Sequence, residues 1–265
     1  MIFLAPTETV GADSSGSGGT PRERKKTRKT MKKLLQTVIA GPVPALFLIL
    51  KCQTGPSGSY RGKPFSDAAY SGGPQIIPGK VQCEYYDTGG EGIAYHDADS
   101  VNSGSGGLNP ADGHYLNEFR KNESVDISYT KIDGREIDNS PYNRVEPQKD
   151  QLYVGWTEPG EWMKYTVRIQ KTGRYRVGLM YTSNRGGRIS LALDDKDVSG
   201  PIEIRSTYDP QDSLAWRQWH HWNYTVPIAE ISLRRGIHVL TLATVAEGNM
   251  NYDFLEFQRE DEKGR

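Results

Sequence analysis

The chain has 265 residues, enough for one domain with appendages at roughly 100–200 residues per domain. A hydrophobic fraction of 35% and a mean hydropathy of −0.66 exclude a polytopic membrane protein, and a 25% charged fraction excludes wholesale disorder. Basic and acidic residues balance at 33 each, but residues 1–52 hold nine basic against three acidic, which leaves the remainder 24 against 30, a net of −6. That body has no basic surplus of the kind nucleic-acid binding needs, and 2 cysteines cannot make a disulfide framework or a Cys-rich zinc site.

Residues 1–20 are rich in Gly, Ser and Thr without apolar periodicity, and residues 1–30 are expected to be disordered. Arg22 to Lys33 is a basic run, followed by the mostly apolar Leu34 to Leu50 with Gly41, Pro42 and Pro44 inside it. A basic segment before a short apolar one is the pattern of an export signal. The apolar stretch is short for a membrane span of roughly 20 residues, and Pro44 is awkward within a helix. Met31-Lys32-Lys33 would itself be a normal signal start, so Met1 and Met31 both stand as starts. Cys52 sits where a bacterial lipoprotein signal places its acylated cysteine, although Lys51 stands where a small residue is wanted. Acylation of Cys52 and simple cleavage both remain open. Residues 31–52 are therefore expected to be a signal peptide or lipoprotein-type anchor, and 53–76 a linker. Residues 77–259 form the folded body and 260–265 a charged tail. The expected location is outside the cytoplasm, with membrane contact only through that anchor.

From Lys80 onward, alternation with period two dominates and helical periodicity is missing. Met163, Tyr165, Val167 and Ile169 alternate with Trp162, Lys164, Thr166 and Arg168. Lys171-Thr172-Gly173 then turns the chain into Tyr175, Val177, Leu179 and Tyr181. Ile189, Leu191 and Leu193 precede a polar turn at Asp194 to Asp197, and Trp222, Tyr224 and Val226 share one face. Arg234-Arg235-Gly236 leads into Ile237 to Val245, and Tyr252 to Phe257 is the last strand. Such spacing predicts an all-β, antiparallel sandwich of about 190 residues, large enough for a real core. Asn102 to Gln151 is a long Gly-, Asn-, Asp- and Pro-punctuated stretch around one strand-like piece, Ser124 to Tyr129.

Nucleophile-elbow, zinc-protease, phosphate-loop and dinucleotide motifs are missing. His220 and His221, neighbours on a strand, point to opposite faces and read as ordinary surface or edge histidines. Glu158 and Glu161 lie in a turn-and-strand segment with no cleft implied, so a glycosidase pair there is disfavoured. Three aromatic segments say more: Tyr153 to Trp162, Trp216-Arg217-Gln218-Trp219, and Gly248 to Asp253. Sugar rings present C–H faces to aromatics and hydroxyls to amides, so two tryptophans with an asparagine can clamp a pyranose. The alternative is that these rings are core, and for Trp162 and Trp219 the core reading is favoured.

From Ile77 to Phe257 these segments, in order, carry a resemblance. They include Val81-Gln82-Cys83-Glu84-Tyr85-Tyr86-Asp87, Gly89 to Asp97, Val154-Gly155-Trp156, Gly160-Glu161-Trp162 and Thr172-Gly173-Arg174-Tyr175, then Trp216 to Trp219 and Asn251-Tyr252-Asp253. The chain resembles a family 6 carbohydrate-binding module. The resemblance implies a jelly-roll sandwich that is non-catalytic, holds a structural calcium and tethers polysaccharide-degrading systems to a polysaccharide. It implies Trp156 and Trp216 as the clamping aromatics, Asn251 as the hydrogen-bonding amide and Glu91 as a residue closing the site. Trp162 would belong to a second site on a sheet face. The calcium would fall to Gln82 and Glu84, two apart on the first strand, with Asp253 from the last strand. The stretch from about Lys131 to Gln151 is longer than the family's usual loop, and no catalytic domain is attached. Cys83 is expected as a buried free thiol, with a disulfide to Cys52 as the alternative. The partner is a polysaccharide or oligosaccharide, with no nucleic acid, and the module is expected to be a monomer.

Overall fold

The computed structural model describes residues 59–132 and 137–260. The signal-like segment, Cys52 and the tail beyond Glu260 lie outside these residues, as do residues 133–136 of the long loop. The described residues all belong to one compact unit. Among them no helix is long and apolar enough to cross a membrane.

Among the described residues twelve strands make two sheets. In the first, β1 (Gln75–Ile77), β6 (Trp162–Ile169), β11 (Gly236–Ala246), β8 (Gly187–Leu193) and β9 (Lys196–Ile204) lie in that order, and β3 (Tyr95–His96) pairs with β6. In the second, β10 (Asn223–Leu233), β7 (Gly173–Ser183), β12 (Met250–Arg259), β5 (Leu152–Val154) and β4 (Ile127–Tyr129) lie in order, and β2 (Gly79–Gln82) pairs with β12. All pairs are antiparallel except β1 with β6. The sandwich expected from the alternation is therefore present.

The core follows from that alternation. Tyr165, Val167 and Ile169 of the first sheet and Val177, Leu179, Tyr252 and Leu255 of the second point inward and are buried. Their partners on the other side of each strand, such as Lys164 and Arg168, face away. Asp194 and Asp195 take positive φ in the β8–β9 connection, the left-handed pair that matches a tight hairpin to strand twist.

Two expectations change here. The described part of the 53–76 linker is docked on the body: Phe65 is buried in the core and stacks on Tyr85, and Lys63 bridges Thr88. Gly- and Pro-rich composition signals irregular backbone, and one aromatic anchor is enough to dock it. The buried tryptophan is Trp222 rather than Trp219. Trp222 is 0% exposed and packs with Tyr153, Met180 and Phe254 on the outward face of the second sheet. It also organises the long loop. Its backbone N–H donates to Asn143 Oδ1 at 3.0 Å, and its carbonyl accepts from Arg144 and Val145. Its indole N–H donates to Asp138 Oδ1 at 2.7 Å.

Trp222→Ala removes a fully buried ring and one of the three hydrogen-bond partners of the buried Asp138 carboxylate, so a loss of about 3–5 kcal/mol in urea unfolding is expected. A loss below about 1 kcal/mol would show that the loop and the outward face hold together without it.

Candidate functional site

A pocket of about 460 Å³ opens where β12 begins, lined by Tyr153, Trp156, Trp216, Trp219, Asn249 and Asn251, with Lys131, Asp138 and His220 closing one side. That volume falls within the range of small-molecule sites, roughly 300–1,000 Å³. The floor is the outward face of the second sheet. Asn251 pairs with Thr182 across β12 and β7, and its Nδ2 donates to Thr182 Oγ1 at 3.0 Å and to the Trp219 carbonyl at 2.8 Å. Thr182 donates to that same carbonyl at 2.6 Å. With both amide hydrogens used, Asn251 has its Oδ1 left as an acceptor.

Trp156 is placed by strained backbone. Its φ is +48°, a left-handed conformation that bulky residues rarely adopt. Gly155 precedes it because a Cβ there would sit 2.8 Å from Asn251 Oδ1. Thr157 follows it and locks the segment to β12, its hydroxyl donating to the Met250 carbonyl at 3.1 Å and accepting from Met250 N at 3.1 Å. The 247–249 turn runs through three positive φ values, and a Cβ on Gly248 would lie 2.4 Å from the Thr157 carbonyl. Only glycine lets that turn close onto Thr157 and bring Asn249 to the pocket.

Trp216 stands on a 3-10 turn, Ala215–Trp219, and is 50% exposed. Buried Asp212 fixes the turn. It accepts from Arg217 Nε at 2.7 Å and Nη2 at 2.9 Å, pairs with His221 Nε2 at 2.8 Å and accepts from Leu214 N. The Arg217 hydrogen bond, then the Leu214 and His221 contacts, hold the Asp212 carboxyl below the usual carboxylate range. His221 is therefore a buried structural residue and not a surface or edge histidine. His220 does point the other way, onto the pocket wall, with its Nδ1 2.9 Å from Asp138 Oδ1 and its ring edge-on to Trp216.

Trp219 lines the pocket instead of the core, because the segment expected as a strand entry is the end of the 3-10 turn. Its indole nitrogen is buried without a hydrogen-bond partner. The pocket thus offers three indole rings and an amide acceptor: a surface suited to a ligand with apolar C–H faces and a hydroxyl rim. Trp156, Trp216 and Asn251 come together as expected, but Glu91 does not join them. Its carboxylate lies 2.5 Å from His96 Nδ1 and accepts from Asp97 N at 3.1 Å, beside β3 on the first sheet. Trp162 lies on the outward face of β6, half-buried beside His96 and Lys164, so it is not core either. Lys131, Asp138, Tyr153, Trp219 and Asn249 were not expected in the pocket. Tyr153 and Asn249 sit inside the aromatic segments, whereas Asp138 carries no sequence signal of its own.

The three residues named for a metal fall near the join of β2 and β12. Gln82 ends β2, and Glu84 belongs to a 3-10 turn, Cys83–Tyr85, so strand alternation does not set their common orientation. Glu84 and Asp253 are buried, and Glu84 Oε2 and both Asp253 carboxylate oxygens lack any partner. Burial pushes the Asp253 carboxyl up to about 8, and burial followed by the Asp253 charge pushes Glu84 well above its usual value. Unpaired buried carboxylates are costly, and a cation is what would satisfy them. Among the described residues no three His, Cys, Asp or Glu side chains gather into a metal cage. Cys83 beside them is a buried free thiol.

Comparison with known proteins gives one family match: residues 127–259 match the sequence model of the carbohydrate binding module, family 6. No curated protein matches the chain. Among solved structures, a β-1,3-glucan binding family 6 module from Bacillus halodurans is 14% identical. That similarity covers 70% of this chain and 98% of that one, with a TM-score of 0.41. A family 6 module from Clostridium stercorarium in complex with cellobiose is 16% identical. It covers 71% of this chain and 99% of that one, with a TM-score of 0.42.

A group of acids around Asp97, separate from the pocket, gives a pH test. Burial, then the Glu161 charge, pushes Asp97 up to about 7. The native state therefore keeps a proton that the unfolded chain releases from about pH 4, so stability falls as pH rises from about 4 to 7. Asp97→Asn should raise the melting temperature at pH 8 and leave it unchanged at pH 4. An equal shift at both values would place the effect in packing rather than charge.

Proposed function

The chain belongs to family 6 of the carbohydrate-binding modules, and from that membership we propose that its pocket clamps one or two sugar rings of a polysaccharide, or of its chain end, between Trp156 and Trp216. The observation that carries this is the meeting of the Trp156 and Trp216 indoles with the Asn251 amide in one pocket. Aromatic faces take the C–H faces of a pyranose, while Asn251 Oδ1 accepts from a hydroxyl. His220, with one ring nitrogen engaged by Asp138, has the other for a further hydroxyl. The non-catalytic reading is supported by how Asp138, the carboxylate among the described residues of the pocket lining, is held. Asp138 is buried and takes hydrogen bonds from Trp222 Nε1 and Lys131 N as well as its His220 contact. Glu161 outside the pocket is similarly engaged by the backbone N–H groups of Ala98 and Glu158.

We propose two further features. A calcium ion would be held by Glu84 and Asp253, with the Gln82 amide, backbone oxygens and water completing its shell, and would supply the charge those buried carboxylates lack. Export, with or without acylation at Cys52, is the reading of the basic-then-apolar segment that ends at Leu50. The module would act as a monomer.

An open site gripping so few rings buries little area, so a Kd between about 1 mM and 1 µM is expected, roughly −4 to −8 kcal/mol. Affinity electrophoresis on a panel of neutral polysaccharides, followed by calorimetry on the best ligand, tests the reading. Trp156→Ala and Trp216→Ala should each abolish detectable binding at an unchanged melting temperature. Trp219→Ala should lose ligand rather than stability, and Asn251→Ala should weaken binding by about 1–3 kcal/mol. Release of reducing sugar at enzyme-like turnover, or full binding by the Trp216 variant, would contradict the proposal.

Calcium has its own test. EDTA should lower the melting temperature through loss of native-state binding, and added calcium should restore it. Sugar binding at low temperature should persist, since the ion would sit apart from Trp156 and Trp216. An unchanged melting curve after thorough chelation would remove the ion from the account.

A further inference from the structure

The end of the sandwich away from the pocket carries a second feature. β12 runs from Met250 beside the pocket to Arg259, and at roughly 3.4 Å per residue its two ends lie about 30 Å apart. Two tight connections meet at the far end: residues 170–172 between β6 and β7, and residues 234–235 between β10 and β11. They are tied together by Arg235 N donating to Thr172 Oγ1 at 3.0 Å. Four cations gather there, Arg168, Lys171, Arg234 and Arg235, all exposed. A groove of about 300 Å³ runs between them, lined by Arg168, Gln170, Arg235 and Ile237.

These cations are not neutralised within the described residues. Arg168 faces Ile76 of β1 and Ile237 of β11 across the sheet, neither of them acidic. The carboxylates that reach β6 lie further along it and are engaged: Asp87 by Thr166 and Tyr60, Asp195 by Lys164. Arg174, near the same end, is already paired with Glu230 and Glu260 and adds no free charge. Keeping four like charges together, three in the two adjoining turns and Arg168 at the end of β6, costs self-repulsion that an anion would relieve. Guanidinium groups flanking a groove are suited to planar oxyanions, which they grip with paired N–H donors.

We propose that this groove is a second binding site, for the carboxylate or sulfate groups of an acidic polysaccharide. The surroundings select that class over the other polyanions. A bilayer surface calls for protruding apolar side chains, and at this end the one large exposed hydrophobic is Ile76, at 39% exposure. Nucleic acid calls for a longer basic track than four residues on a body of net charge −6. Gln170 supplies an amide for hydroxyls, and Ile237 an apolar contact for ring C–H groups. A module so built holds a neutral sugar at one end and an acidic chain at the other.

The site is independent of the pocket, so the two can fail separately. Retardation of the full-length protein is measured in gels containing polygalacturonate, dextran sulfate or uncharged dextran, at low and high salt. Arg168→Gln/Arg235→Gln, which keeps part of each stem, is compared with Arg168→Ala/Arg235→Ala and with Trp216→Ala. The expected result is binding to polygalacturonate or dextran sulfate that weakens with salt, survives Trp216→Ala, and falls at least tenfold in both arginine variants at an unchanged melting temperature. Binding to the best neutral polysaccharide should be untouched by the arginine changes. The proposal is overturned if the arginine variants keep full affinity for both polyanions, or if Trp216→Ala removes that binding. Retention of the wild type by phosphatidylglycerol vesicles, and by neither polyanion, would also overturn it.

Discussion

The pocket depends on how Asn251 uses its side-chain amide. One N–H is given to Thr182 on the neighbouring strand and the other to the carbonyl of Trp219, so a single residue ties the first turn of β12 to the 3-10 turn that carries Trp216 and Trp219. The same residue excludes a side chain at position 155, and through Gly155 it sets where Trp156 begins. Both tryptophan-bearing segments are therefore referred to one strand end, and the amide oxygen left over faces the space between them. A binding surface made from loops acquires the precision of the sheet beneath it.

Around that point the molecule tolerates strain and buried charge unevenly. Positive φ values at Trp156 and through the 247–249 turn bend the chain where it presents groups to the pocket. Buried ion pairs do the opposite work behind the wall. Asp212 is fully satisfied by Arg217, His221 and backbone, and Asp138 by Trp222, His220 and Lys131 N, so those carboxylates brace the turn and the long loop. Glu84 and Asp253 are buried without such partners. The contrast separates carboxylates that the fold completes by itself from carboxylates that wait for something else, and it is visible only once hydrogen bonds are counted.

Strand order in the chain and inward faces were legible because two-residue alternation is a local signal that burial enforces on every strand. Met163, Tyr165 and Val167 behave as their spacing implies. The pair Trp156 and Trp216 was legible through family resemblance and through turn residues beside each ring. Trp219 was expected in the core and lines the pocket, since an aromatic run of Trp216 to Trp222 carries no period that tells a 3-10 turn from a strand. The turn is set by Asp212, which lies several residues upstream and acts through a buried guanidinium and imidazole. Asp138 was invisible for a similar reason: its three partners come from positions 131, 220 and 222, and nothing local marks it. Glu91 failed to reach the pocket because His96 and the backbone of Asp97, both nearby in sequence, hold its carboxylate at the first sheet's edge.

The central claim is that the pocket at the start of β12 is where the sugar sits. The chain has 5 tryptophans, Trp156, Trp162, Trp216, Trp219 and Trp222, and each gives one indole N–H resonance. Titrating the best neutral oligosaccharide into isotopically labelled protein reads all of them at once. The account predicts that the signals of Trp156, Trp216 and Trp219 shift together along one binding curve, while those of Trp162 and Trp222 stay in place. Movement of Trp162 with the three pocket indoles unmoved would contradict it and put the ligand on the outward face of the first sheet.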